Sequence, residues 1–421
     1  MKIKTTLNFA LIFALAVPGA AQSGQPLSLD DCIKIGLEQN QSLEINRFET
    51  DRSISQAKSN ISMVLPNINY SLSNSNTKVG SASGVGSYGT SLSLSQNIWD
   101  GGQWWNTLKS AKAAQRAADL QLNLYELSTV YQVKVAYYNY LSTKKLLDVY
   151  QENLNTSEYQ HQLTRERFRL GAASQNDTLR TKVNIERAKL QIIQGENSLQ
   201  DRARELNIIL GREWNSPLTL EEPVWEAVPI PTLEQVVDDV LESNPSLQLL
   251  GEQREISNYA IKTARSGYFP SLGLTAGYTN GGSEVGDVFE SSTGTVSSSL
   301  SLSWNLFNGT RTKRSVEQSK INLKITEENI QLTERQLRKD LAQALEQMQT
   351  LNESVEISEL ILGAAALDLE LAQEQYRVGS LSILDVLTIT ANYEDSKSGL
   401  IQAQYNLKIA EAGLFQLMGK R

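Results

Sequence analysis

The sequence predicts a mainly α-helical chain with a membrane-type β component, built as two copies of one motif, and three observations carry that prediction. The 421 residues hold only nine prolines, none between Pro66 and Pro217 and none after Pro270, so two long stretches lack the strongest helix breaker. Thirteen of the 26 glycines fall in two short windows, Asn67 to Gly102 and Ser271 to Gly309, which are also rich in Ser, Thr and Asn and read as strands and turns between helices. The chain also repeats itself. Leu29, Asn40, Leu43 and Pro66 match Leu233, Asn244, Leu247 and Pro270 at a spacing of 204. Beyond the glycine-rich windows the spacing is 208, pairing Gly101, Phe168, Arg169, Gly171, Asp177 and Gly211 with Gly309, Tyr376, Arg377, Gly379, Asp385 and Gly419. A four-residue difference is best tolerated in a hairpin loop.

Taken in chain order, Met1 to Gln22 has the layout of a secretory signal: Lys2 and Lys4, an apolar run from Leu7 to Val17, then Pro18 and small residues to Ala21. The apolar run is well short of the ~20 residues needed to span a bilayer. Residues 1–21 are therefore expected to be a signal peptide, 22–211 the first repeat, 212–231 a linker and 232–421 the second repeat, with no C-terminal domain beyond it. The linker holds Pro217, Pro223, Pro229 and Pro231, which exclude a continuous helix.

Each repeat reads as a short helix (Ser28 to Asn40, Thr232 to Asn244), a medium helix ending before Pro66 or Pro270, two strands, a very long helix and a returning helix. Gln103 to Leu170 contains no Gly or Pro, which allows a rod of ~100 Å. Thr310 to Val378 repeats it, interrupted only by Gly363. Two adjoining rows, Leu108, Ala111, Ala114, Ala118, Leu122 and Ala113, Ala117, Leu120, Leu124, widen the apolar face enough to pack against more than one neighbour. Helical pattern alone does not exclude a long antiparallel coiled coil.

The strands decide between them. They are expected over about 67–78, 89–99, 271–280 and 295–307, with Ile68, Tyr70, Leu72, then Leu92, Leu94, Ile98, then Leu272, Leu274, Ala276, Tyr278, then Val296, Leu300, Leu302, Trp304 and Leu306 alternating mostly with Gly, Ser, Thr or Asn. About ten residues of period-two pattern is the length of a tilted membrane strand. Lys78, Glu284, Asp287 and Glu290 fall in the loops or at their edges, and Trp99, Trp104, Trp105, Trp304 and Phe307 gather at the helix-side strand ends, as an aromatic girdle would. A soluble sandwich would not leave some forty residues almost free of charge. Open edges cannot persist in lipid, and bacterial barrels start at about eight strands, so a four-strand chain must share its barrel.

Composition excludes several functions. One Cys and one His furnish neither a disulfide framework nor a Cys/His metal site, and no paired nucleophile and base stands out, so no enzyme, metal or cofactor is expected. A net charge of −8 without a basic block argues against nucleic acid. Cys32 reads as a lone buried thiol and His161 as a solvent-facing residue. Gly84 to Gly89, G-V-G-S-Y-G, has the letters of a dinucleotide fingerprint but precedes a strand rather than opening a helix, and is read as an extracellular loop. Asp30 with Asp31, and Asp238 with Asp239, suit helix starts.

The duplicated order of helix, hairpin, long helix and returning helix, with R-F-R-L-G-A-A-S-Q-N-D at Arg167 to Asp177 and Y-R-V-G-S-L-S-I-L-D-V-L at Tyr376 to Leu387, resembles the outer-membrane efflux proteins of the TolC family. The resemblance implies a homotrimer in the cell outer membrane, with twelve strands closing one β-barrel and twelve helices forming a periplasmic α-barrel. It implies an exit duct of a tripartite efflux or type I secretion system, working with a periplasmic adaptor and an inner-membrane pump. It places adaptor contact at Leu170, Gly171, Ala172, Ala173, Val378, Gly379, Ser380 and Leu381, and the closed constriction at Asp177, Tyr376 and Asp385. Leu381 and Thr388 depart from the family's arginine link and second ring aspartate, which implies different gate electrostatics. Ser174 with Asp177 and Ser382 with Asp385 also fit helix caps, and both glycines fit helix C-caps. A periplasmic helical adaptor or structural coiled coil is the alternative; it would not need four charge-free strands.

Overall fold

The computed structural model describes residues 26–77, 80, 85–223, 225, 229–290 and 294–421; residues 1–21, expected to be a signal peptide, and Lys78 and Gly84 lie outside the described residues. The two repeats have matching elements: α1 (Leu29–Gln39), α2 (Gln41–Ser59), β1 (Asn67–Thr77), β2 (Val85–Asp100), α3 (Gln103–Arg169) and α4 (Gln175–Ile209), then α5 (Leu233–Ser243), α6 (Pro245–Ser266), β3 (Ser271–Gly282), β4 (Thr295–Ser303), α7 (Arg311–Val378) and α8 (Ile383–Leu417). The 67 residues of α3 and 68 of α7 make rods of ~100 Å. Toward the sheet α3 is flanked by α2 and α6, and toward its far end by α4 and α8.

One joint, made twice, lets two shorter helices run beside one long one. Asn40 caps α2, its Oδ1 accepting from the Leu43 N–H at 2.8 Å, while its Nδ2 donates to the Ile209 carbonyl at the end of α4 at 2.7 Å. Asn244 caps α6 through the Ser246 N–H at 2.9 Å and donates to the Leu417 carbonyl at the end of α8 at 2.9 Å. A single amide thus satisfies a donor orphaned at one helix start and an acceptor orphaned at another helix end. The chain leaves each joint through a left-handed glycine, Gly211 and Gly419, both at φ 71°. A Cβ on Gly211 would lie 2.0 Å from the Gln39 carbonyl oxygen, so the glycine is needed for close approach as well as for φ.

Beside the joints lie two apolar cores. In the first, Cys32 packs with Val133, Tyr137, Leu141, Leu206, Leu210, Leu220 and Tyr405; in the second, Val236 and Val240 pack with Leu337, Leu341, Leu345, Leu414 and Met418. Cys32 is free and fully buried, and burial pushes its thiol up to about 12. The first half of the inter-repeat segment is docked: Leu27 and Leu220 form a bridge, and the Tyr137 hydroxyl donates to the Glu221 carbonyl at 2.5 Å.

The four strands form one antiparallel sheet in the order β1-β2-β3-β4. Its register sorts residues by face: Tyr70, Leu92, Tyr278 and Val296 make one row, and Ser71, Ser91, Thr279 and Thr295 the next. One face carries the large apolar residues, with Asn74, Asn76, Thr90, Gln96 and Ser298 among them, and the other is mainly Ser, Thr, Gly and Asn, with Val85 among them. Two boundaries differ from expectation. β4 stops at Ser303 rather than 307, because its partner β3 begins only after Pro270 and the last pair is Ser271 with Ser303. β2 begins at Val85, so Val85 to Gly89 is strand paired with Thr77 to Ser73, not an extracellular loop.

Replacing Asn40 or Asn244 by Ala is expected to cost about 1–3 kcal/mol each, read by chemical unfolding. Asn→Asp keeps the cap acceptor but not the donor, and should be at least as damaging; a neutral Asp variant would show that the bond to the facing helix contributes nothing.

Candidate functional site: the hairpin tips and the exposed sheet

Both long hairpins turn by the same local rule. At the end of α3 the Gly171 N–H donates to the Phe168 carbonyl at 2.9 Å and the Ala172 N–H to the Arg167 carbonyl at 2.8 Å; at the end of α7, Gly379 donates to Tyr376 at 3.0 Å and Ser380 to Gln375 at 2.9 Å. These paired bonds require a left-handed residue, and the glycines stand at φ 78° and 88°. The returning helices are capped at once. The Asp177 N–H donates to Ser174 Oγ at 3.1 Å while the Ser174 N–H donates to Asp177 Oδ2 at 2.9 Å. At the second tip the Asp385 N–H donates to Ser382 Oγ at 3.3 Å and that hydroxyl donates to Asp385 Oδ2 at 2.6 Å. The bond from the Ser174 backbone, then that from its hydroxyl, lowers the Asp177 carboxyl below its ordinary value.

Most of the expected tip residues are presented to the outside. Leu170 is 83% and Val378 73% exposed, and Gly171, Ala172, Gly379 and Ser380 are exposed beside them, with Ala173 half-buried. Leu381 instead packs against the small core of Tyr376, Ile383 and Val386. Asp385 is exposed, with Asp177 half-buried at the other tip. Tyr376 is 5% exposed and its hydroxyl is bonded to Thr164 Oγ1 at 2.7 Å. The Arg167 guanidinium lies 4.6 Å from the Tyr376 ring centroid and donates to the Tyr376 carbonyl, so one arginine stacks on the ring and satisfies a helix-end acceptor. Tyr376 therefore ties the two tips together within one chain.

Above that contact the interface of α3 with its neighbours is polar. Asn153, Ser157, Gln160 and Thr164 recur at coiled-coil spacing and are all buried. Asn184 Nδ2 donates to Ser157 Oγ at 2.8 Å, Gln160 Nε2 donates to Thr390 Oγ1 at 2.9 Å, and Lys397 pairs with Glu152. His161 belongs to this seam rather than facing solvent: it is half-buried, with Nδ1 2.8 Å from Thr181 Oγ1 on α4. The rows named along the upper part of α3 do not reach this far. The signal that locates the seam is polar residues at core spacing below Val149, and Arg167 is the next step of the same series.

At the other end of the molecule the apolar sheet face is open: Ile68, Tyr70, Leu300 and Leu302 are 64–69% exposed. Trp99, Trp105, Trp304 and Phe307 are also exposed at the helix side of the sheet. Trp104 is half-buried against Trp105, edge to face at 5.4 Å. A bulge between Asn97 and Trp99 brings Trp99 opposite Leu272, and Trp304 Nε1 donates to the Tyr268 carbonyl at 3.1 Å.

Residues 33–212 and 236–420 match the family model of the outer membrane efflux protein. The probable efflux pump outer membrane protein TtgC of Pseudomonas putida is 25% identical over 317 residues, covering 74% of this chain and 63% of TtgC, less than two thirds of its length. The outer membrane protein TolC of Vibrio cholerae is 22% identical over 333 residues, 78% of this chain and 76% of that protein. The crystal structure of the transmembrane channel protein CusC superposes with a TM-score of 0.83 over 93% of this chain and 92% of that one, at 19% identity, a likeness of fold.

The seam holds one group tuned near neutrality. Burial first, then Asp395 beside it and Glu152 on α3, push the Glu394 carboxyl from 4.5 up to about 7. The folded state holds this proton more tightly than the unfolded chain does, so stability is lost as pH rises from about 4.5 to about 7. Glu394→Gln should stabilise the protein at pH 8 by about 1–2 kcal/mol, after discounting for partial solvent screening, and far less at pH 5. Thermal unfolding at the two pH values checks this; an equal gain at both contradicts it.

Proposed function

The chain belongs to the outer membrane efflux protein family, and from that premise we propose that three copies form one channel, the passive exit duct of a tripartite efflux or type I secretion system. The observation that carries the reading is the sheet. It has one apolar face, one uncharged hydroxyl-rich face, and two edges, β1 and β4, with no strand partner among the described residues. In lipid every backbone donor and acceptor at those edges needs a partner, and β4 of one copy against β1 of the next supplies them. Three copies give twelve strands, above the smallest known bacterial barrel. The small hydroxyl face then lines the bore and the apolar face meets lipid, with Trp99, Trp104, Trp105, Trp304 and Phe307 at the periplasmic interface.

The long helices support the same assembly. Val183, Leu190 and Ile193 on α4, and Leu360, Leu367 and Leu371 on α7, are 51–76% exposed, and each set lies on one helix face at coiled-coil spacing. The α4 row of one copy packs against the α7 row of the next, continuing the helical wall around the threefold axis. The exposed tip residues Leu170, Gly171, Ala172, Val378, Gly379 and Ser380, with the half-buried Ala173 and with Leu381 bracing the second tip from inside, are the adaptor contact, and the inner-membrane pump joins through that adaptor. Asp385 is the constriction residue at its tip and Asp177 the one at the other, while Tyr376 acts through Thr164 and Arg167 by holding the tips in register. No chemistry is performed; cargo is moved by the pump.

Two measurements test this. Native mass spectrometry in detergent should find three chains per particle, and a monomer alone would contradict the shared barrel. In planar bilayers, Asp385→Ala should weaken cation preference and divalent block severalfold, because a ring of three carboxylates at a narrow passage selects cations. Unchanged conductance, selectivity and block would remove Asp385 from the constriction.

A further inference from the structure

The loop after β3 does not continue away from the sheet; it folds back over one face. Asn280, 5% exposed, is the clamp: its Nδ2 donates to the carbonyls of Asp287 at 3.0 Å, Val288 at 3.1 Å and Glu290 at 2.6 Å. Asp287 Oδ2 in turn accepts from the Glu284 N–H at 2.8 Å, closing a single 3-10 turn over Gly286–Phe289. A side chain on Gly282 would strike Asp287, and one on Gly294 would strike the Tyr278 hydroxyl. Strand alternation puts Tyr278, Asn280 and Gly282 on the same face as Leu272, Leu274 and Ala276, so the folded segment sits on the apolar face of the sheet and not on the hydroxyl face. It lies where the apolar rows give way to Thr90 and Asn280, which pair with each other.

The fold of this segment buries Val288 at 5% and leaves Phe289 77% and Val285 58% exposed. Two large apolar side chains held outward by a clamped turn would be a liability in water. On the rim of a lipid-facing wall they are placed as aromatic and aliphatic anchors are, at the boundary between hydrocarbon and headgroup.

We infer that residues 284–290 form an interfacial anchor, with Phe289 and Val285 inserted among the lipids of the outer leaflet. The occupant is lipid because the segment continues the apolar face that, on the reading proposed above, meets the bilayer. Glu284, Asp287 and Glu290 bracket the two side chains and hold the insertion at headgroup depth, since carboxylates are costly in hydrocarbon. Each copy contributes one such segment, from the second repeat, whose loop is four residues longer than that of the first.

Site-directed spin labelling tests this in phosphatidylethanolamine/phosphatidylglycerol vesicles. Nitroxides on Phe289→Cys and Val285→Cys are compared with Leu94→Cys on the apolar face and Thr77→Cys on the hydroxyl face, and the background from buried Cys32 is measured on the unsubstituted chain. The expected result is collision with oxygen exceeding collision with a water-soluble nickel chelate severalfold at 289, 285 and 94, and the reverse at 77. A chelate preference at 289 and 285 with oxygen preference at 94 overturns the anchor and leaves the lipid-facing wall intact. Restricted access to both reagents at 289 and 285, the mark of a contact with another copy, also overturns it. Chelate preference at 94 removes the lipid-facing wall and the anchor with it.

Discussion

A sheet edge in hydrocarbon has no water to bond to, and this constraint organises the rest of the protein. Each unpaired backbone group there costs several kcal/mol, so a chain whose described residues form four strands is incomplete by itself. Every other feature accommodates that fact. The strands alternate apolar residues with Ser, Thr, Gly and Asn because one face must tolerate lipid and the other water. The sheet is followed in each repeat by a helix of 67 or 68 residues, because the structure below the sheet has to surround the same bore that the strands enclose.

Duplication solves the geometry of that wall economically. A long helix needs two neighbours along its length, and each repeat supplies one from below, α4 or α8, and one from above, α2 or α6. The end of one and the start of the other meet at Asn40 or Asn244, whose amide satisfies both. The two cores, around Tyr137 and around Leu341, sit beside these joints and fix them by packing. Toward the tips the packing changes character: Asn153, Ser157, Gln160 and Thr164 replace aliphatic residues. A core held by hydrogen bonds contributes less net stability than an apolar one of the same size, and its bonds can be exchanged for others. The tips are thus joined by hydrogen bonds of specified geometry rather than by aliphatic packing.

The departures from expectation have local causes. His161 was expected to face solvent because a long polar run offers no apolar partner, yet Thr181 on the returning helix completes its hydrogen bond. The partners of Tyr376 were not legible in the tip motif: an aromatic ring two residues before a helix end has Arg167 and Thr164 of the neighbouring hairpin within reach. Val85 to Gly89 read as a loop by composition, but strand pairing is decided by the backbone of β1, which extends to Thr77. Trp304 lies beyond β4 because β3 begins only at Ser271.

Periodicity, the placement of proline and glycine, and the spacings of 204 and 208 determined the element order, the duplication, both tip turns and the two chemically distinct sheet faces. These are properties of neighbours along the chain, set by steric limits on φ and by period-two or heptad patterning. The sequence alone could not determine which polar residue finds which partner. The bond of Thr164 with Tyr376 spans 212 residues and that of Gln160 with Thr390 spans 230; both depend on how two hairpins lie against each other. Likewise, only the folded chain put Asn280 under the turn at Gly286–Phe289 and left Phe289 facing outward, because a loop's direction is decided by the contacts at its base and not by its own composition.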